Sequence, residues 1–156
     1  MGFGKSRDLR NAPTAIAILI AAYATGTAFA GIDAALAGEV TISIENVKAS
    51  DGPLYVSLQT EDQFLQNAGT YGDIIHSPTE GDLSIVLSNV ADGEYSVSIW
   101  HDINNNQVFD REDNGIPLDG WSMIGAATMQ GLPVFDSVKF NVDGDVGVTV
   151  EMVYPN

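Results

Sequence analysis

The sequence contains no cysteine, and only six lysines and arginines stand against 21 aspartates and glutamates. The first absence excludes disulfides and anchoring through a lipid on an N-terminal cysteine, so core burial, aided by any bound metal, must hold the fold together. The second leaves a formal charge of −15 at pH 7. Such a surface repels phosphate backbones and anionic lipid, which argues against nucleic acid or a membrane surface as partner, and it attracts cations. Helical periodicity is scarce, and there is no internal repeat or low-complexity tract.

Half of the few bases fall at the start of the chain, as Lys5, Arg7 and Arg10. An apolar run from Ala12 to Ala24 follows, and small residues then end in Ala28-Phe29-Ala30. Basic, apolar and small-residue regions in that order are the pattern of a secretory signal peptide. The run is too short and too rich in Ala and Thr for a membrane span. Residues 1–30 are therefore expected to be a leader, with an uncleaved N-terminal anchor as the alternative, and residues 31–156 a single exported domain, periplasmic or extracellular and not inserted in a membrane after cleavage. A second small-residue site, Ala35-Leu36-Ala37, offers an alternative cut. Loss of residues 1–30, with three bases and Asp8, takes the charge from −15 to −17.

After Gly38 apolar and polar residues alternate, the period of half-buried strands. Val40, Ile42 and Ile44 lead through the turn Ala49-Ser50-Asp51-Gly52-Pro53 into Leu54, Val56 and Leu58. Leu83, Ile85 and Leu87 lead through Asp92-Gly93 into Tyr95, Val97 and Ile99, and Val138, Phe140 and Val142 lead through Asp143-Gly144-Asp145 into Val146, Val148 and Val150. Each pair reads as a hairpin. The stretch from Glu61 to Gly81 reads as loop with a short helical turn around Asp62 to Gln66, and a further strand is expected near Trp121 to Thr128. About seven strands with one apolar face each imply an all-β, immunoglobulin-like or transthyretin-like sandwich, with a closed small barrel as the alternative.

The segment Asp102-Ile103-Asn104-Asn105-Asn106-Gln107-Val108-Phe109-Asp110-Arg111-Glu112-Asp113 carries the chemistry. It places oxygen-bearing side chains, Asp102, Asn104, Asn106, Asp110 and Asp113, at positions 1, 3, 5, 9 and 12 of an EF-hand-like loop, with the Val108 carbonyl at position 7. Alternate residues of a tightly turning loop point inward, and Ca2+ prefers an all-oxygen shell, which together with the missing thiolates favours calcium over zinc. Glu112 competes with Asp113 as last ligand. Position 6 is Gln107, where the sharp backbone turn calls for glycine. The alternative is an Asn/Asp-rich solvated loop turned by side-chain-to-backbone hydrogen bonds.

The run Trp100-His101-Asp102-Ile103-Asn104-Asn105-Asn106, followed by Asp110, by Gly115-Ile116-Pro117-Leu118-Asp119-Gly120-Trp121 and by Gly131-Leu132-Pro133-Val134-Phe135-Asp136, resembles the bacterial exported proteins grouped as DUF2141. Members usually carry Gly where this chain has Gln107. The loop is also similar to the calcium-binding B repeats of Gram-positive adhesins and, in ligand spacing, to dockerin loops. The resemblance implies a sandwich with a structural calcium ion and brings no activity with it.

Trp100 and Trp121 bracket the loop and are candidates for packing beneath it or for stacking on a sugar ring. His101 and His76 read as hydrogen-bond donors to loop carbonyls, the alternative for His101, next to the first proposed ligand, being a titrating or metal-site role. No nucleophile elbow of the Gly-x-Ser-x-Gly type accompanies the Ser, His and Asp residues. The expected function is thus a non-enzymatic exported domain with structural calcium. The alternatives are a calcium-dependent glycan- or protein-binding module and a hydrolase using Asp or Glu.

Overall fold

The computed structural model describes residues 37–67 and 69–155; the expected leader lies outside them. Eight strands are formed among these residues: β1 Ala37–Val47, β2 Leu54–Gln59, β3 Tyr71–Ile75, β4 Gly81–Ala91, β5 Gly93–His101, β6 Gly120–Ser122, β7 Lys139–Val142 and β8 Val146–Glu151. One sheet has the order β4-β1-β8, and the other β3-β2-β5-β6, with β7 also paired to β5. Alternation explains the layering. Val40, Ile42 and Ile44 of β1 and Val97 and Ile99 of β5 are almost wholly buried, whereas the residues between them are more open or face polar neighbours. The facing rows, with Leu54, Val56, Leu58, Val90, Val142, Val150 and Met152, make one core. Burial of each such side chain favours folding by about 1.5–3 kcal/mol.

None of the three expected hairpins forms. β1 pairs with β4 and, in parallel, with β8, whereas β2 pairs with β3 and β5. Each turn therefore carries the chain from one sheet across the core to the other. Alternation with a turn between fits either arrangement, because the apolar rows meet equally well across the core. The stretch read as loop between Glu61 and Gly81 holds β3, an edge strand whose Gly72, Asp73 and Ile74 are exposed. Within it, the expected helical turn is the 3-10 turn Glu61–Gln63. The strand expected near Trp121 is the short β6, after which the chain makes a 3-10 turn at Ala126–Thr128.

The two sheets join at one corner. Trp121 and Val153 exchange both backbone hydrogen bonds at 2.9 Å, and the Ser122 hydroxyl donates to the Glu151 carbonyl at 2.6 Å, so the chain beyond β8 continues the ladder of β6. This stitch holds β6 in place, and β6 in turn returns the long loop to β5. Pairing of His101 with Gly120 makes residues 102–119 the connection of a genuine hairpin. Among the described residues no helix is long and apolar enough to cross a membrane.

Candidate metal centre

Asp102 follows directly on β5 and is fully buried. Its amide donates to the Pro53 carbonyl at 3.0 Å, and its own carbonyl accepts from Asn105 N at 3.2 Å. The carboxylate turns back over the loop, taking Asn106 N on Oδ1 at 3.0 Å and Gln107 N on Oδ2 at 2.8 Å. Asn104 Oδ1 also accepts from Asn106 N at 3.1 Å, and Asn106 Oδ1 accepts from Val108 N at 2.8 Å. These side-chain-to-backbone bonds are the Asx turns that wind an Asn-rich segment into a tight coil. The amide nitrogens of Asn104 and Asn106 both donate to Asp110 Oδ2, at 2.8 and 2.7 Å. The side chains of Asn104, Asn106 and Asp110 are thereby joined to one another, and the Asp102 carboxylate holds the backbone of the same coil.

Of the remaining expected ligands, Glu112 and Asp113 lie differently. Val108 donates its N–H into the coil and exposes its side chain. Arg111 bridges Pro117, Glu112 N donates to the Ile116 carbonyl at 2.8 Å, and Gly115 N donates to the Glu112 carbonyl at 2.8 Å, so residues 111–117 form a small hairpin of their own. Glu112 takes Asn114 Nδ2 at 3.0 Å, and Asp113 is exposed at the tip. Neither carboxylate is bonded to the Asp110 focus among the described residues.

The sharp turn expected at position 6 is present. Gln107 has φ +63° and Asn105 φ +55°, both left-handed. Asn adopts that conformation readily, but a longer side chain pays about 1 kcal/mol or more for it. Gln107→Gly is accordingly expected to raise stability by about 1 kcal/mol, read from the urea midpoint at unchanged slope.

Asp119, which the sequence reading did not single out, is buried and braces the coil from outside. Its Oδ2 accepts from the Trp100 indole at 2.9 Å and from Asp110 N at 3.1 Å. The signal for it lies in the strand register. Once Trp100 pairs with Trp121 and His101 with Gly120, the next rung sets Asp102 opposite Asp119. Asp119→Ala leaves both donors without their acceptor and is expected to cost about 2 kcal/mol, with a red shift of tryptophan emission as Trp100 loosens.

Trp100 stacks on Tyr55 with ring centroids 4.7 Å apart, and Phe109 meets it edge-on at 6.1 Å. Trp121, its neighbour on β6, packs against a second apolar cluster of Met123, Ala126 and Val138. Of the two tryptophans, Trp100 is therefore the one tied to the loop by hydrogen bonding.

His101, fully buried at the base of the loop, links two further segments. Lys48 N donates to Tyr154 Oη at 2.9 Å, and that hydroxyl lies 2.9 Å from His101 Nδ1. His101 Nε2 lies 3.0 Å from Ser50 Oγ, and Ser50 is bonded to the Gly52 carbonyl at 3.1 Å. Burial lowers the imidazole's pKa, against the opposing pull of the Gly52 backbone, Asp119 and Asp102, and burial raises that of Tyr154. The ring thereby ties the Tyr154 hydroxyl to the Ser50 turn.

Among the described residues no three His, Asp or Glu side chains gather closely enough to hold a metal by themselves. The coil instead offers two carboxylates and two carboxamides, hard oxygen donors with no thiolate among them. That chemistry fits Ca2+ and does not fit a softer metal.

Fold and loop together define a class: a two-sheet β-sandwich whose β5–β6 connection is coiled around converging acidic and amide side chains. The chain belongs to the family DUF2141, described as an uncharacterized protein conserved in bacteria, whose sequence profile matches residues 42–149. No curated protein and no solved structure matches it.

Proposed function

We propose that this is an exported, non-enzymatic sandwich domain in which Ca2+ fastens the connection between β5 and β6. The observation that carries this reading is the gathering of the Asn104, Asn106 and Asp110 side chains in a coil whose backbone is held by the buried Asp102 carboxylate. Ion binding would release the two Asn Nδ2 bonds to Asp110, while the carboxamide oxygens that hold the Asx turns also face the ion. The ion then takes two carboxylates, two carboxamides and the Val108 carbonyl, and water completes a shell of six to eight oxygens. Export is supported by the basic, apolar and small-residue order of residues 1–30. A chain with 21 acids and six bases also supplies a field that draws cations in.

Calcium binds the coiled loop and not the unfolded chain, so it stabilises by mass action, about 2.7 kcal/mol at a hundredfold excess over Kd. Calorimetric titration with Ca2+ is expected to show one site that discriminates against Mg2+, lost in Asp110→Asn. EDTA is expected to lower the melting temperature of the wild type only. Equal melting with and without EDTA, beside a flat titration, refutes the proposal.

A further inference from the structure

A cleft of about 1200 Å3 lies on the outer face of the five-stranded sheet. Its floor is formed by Tyr55, Ser57, Ser98 and Trp100, the residues that alternate with the buried row of β2 and β5. Register pairs Gln59 with Ser96 and Leu54 with His101, so the connections after β2 and after β5 leave opposite ends of these strands. Each folds back over the sheet. Leu65, Gln66, Asn67 and Thr70 form one wall, and Gln107, Val108, Phe109 and Arg111 form the other.

Three features mark this cleft as a built site. The first is backbone strain on both walls: Leu65 has φ +59° and Gln107 φ +63°, each in a conformation unfavourable to a long side chain. Both are held there by side-chain acceptors, Gln59 Oε1 on Leu65 N at 3.2 Å and Asp102 Oδ2 on Gln107 N at 2.8 Å. Strain kept in place by such bonds is a recurring property of ligand sites. The second is an aromatic cluster held in place: Tyr55 and Trp100 stack on one another, so each keeps only its outer face for a ligand, Phe109 meets Trp100 edge-on with Arg111 over its ring, and Asp119 pins the indole. The third is charge. On a chain of net charge −15, the cleft is lined by one carboxylate, Asp73, and one guanidinium, Arg111, and its other polar groups are hydroxyls, carboxamides and His76.

We infer that this cleft binds a short, uncharged oligosaccharide. Aromatic rings take the C–H faces of sugars, and neutral hydroxyls and amides exchange hydrogen bonds with sugar hydroxyls without the desolvation cost of an ion. The single carboxylate and single guanidinium leave the lining without net charge, and the guanidinium lies over the Phe109 ring at 4.7 Å. The inference rests on the calcium reading in one respect, because the ion would order the wall that carries Gln107, Val108 and Phe109.

The test is an array of neutral oligosaccharides (glucans, mannans, galactans and chitin oligomers) with sialylated and sulfated glycans and apolar peptides alongside, followed by calorimetry with the best binder. A neutral sugar is expected to bind, to weaken in EDTA, and to lose at least about tenfold in affinity in Tyr55→Ala and in Tyr55→Leu, with circular dichroism and calcium affinity unchanged. Tyr55→Leu keeps apolar bulk and removes the ring, so its loss cannot come from unfolding. Absence of neutral-sugar binding, preference for charged glycans or peptides, or full affinity in Tyr55→Leu overturns the inference. Sugar binding without calcium binding leaves the cleft standing and sinks the ion, and calcium binding without sugar binding does the reverse.

Discussion

Gly52→Ala is expected to destabilise the domain by about 3 kcal/mol, lowering the melting temperature by about 10 °C. A Cβ on Gly52 would overlap the Asp102 carbonyl oxygen and sit 2.9 Å from its carbon. The obstacle is backbone, so no rotamer change relieves it. The displaced carbonyl accepts from Asn105 N, and the Asp102 amide is tied to Pro53. Gly52 itself exchanges hydrogen bonds with Ser50, which in turn meets His101. A shift of about 1 Å at this contact would disturb the turn before β2, the root of the coil and the buried imidazole together. Gly147→Ala provides the control: it lies on a strand, and an added Cβ meets nothing within 4 Å. Its cost is expected to stay within about 0.5 kcal/mol. Chemical denaturation of the two variants side by side decides the matter, and equal midpoints would mean that the turn yields and does not anchor the loop.

The turn's importance was hidden in the sequence, where Ser50-Asp51-Gly52-Pro53 reads simply as a reversal. Alternation in β1, β2, β4, β5 and β8 revealed which residues face a core, because burial of one face imposes a period of two regardless of partner. It did not reveal which strand lies beside which. Val40, Ile42 and Ile44 make equally good neighbours for Leu54, Val56 and Leu58 along a sheet or across the core, and the structure takes the second course. β3 escaped notice because Gly72-Asp73-Ile74 at a sheet edge has no buried face to impose a pattern. Even there the sequence bears a trace, since Asp73 Oδ1 accepts from Ile74 N at 2.8 Å and occupies a donor at the sheet edge.

The coil was the most legible part, because its geometry is local. Asp102, Asn104 and Asn106 bend the chain through bonds to residues two to five positions away, so spacing alone carries the information. Asp113 and Glu112 follow a different local rule, the turn closed by Asn114 and Gly115, which holds them in solvent. Asp119 depends on strand register and the Tyr55–Trp100 stack on pairing between β2 and β5, neither of which spacing within the loop contains. The cleft is further still from sequence, since its walls come from opposite ends of the sheet.

Substitution of Asp102 separates what the carboxylate does for the coil from what it does for an ion. In EDTA, Asp102→Asn keeps the shape and one acceptor for Asn106 N or Gln107 N but turns an NH2 toward the other. A cost of about 1–2 kcal/mol is expected. Asp102→Ala leaves both backbone donors without that carboxylate and opens a small void at a buried position, and about 2–4 kcal/mol is expected. Calcium then widens the gap. At a hundredfold excess over Kd the wild type gains about 2.7 kcal/mol, whereas either variant has lost the first carboxylate of the shell and gains almost nothing. Wild type and Asp102→Asn are thus expected to differ by about 4 kcal/mol in calcium and by less than half of that in EDTA, in paired urea titrations. A calcium-independent difference would assign Asp102 wholly to the Asx turns and leave the coil as a self-sufficient hydrogen-bonded loop.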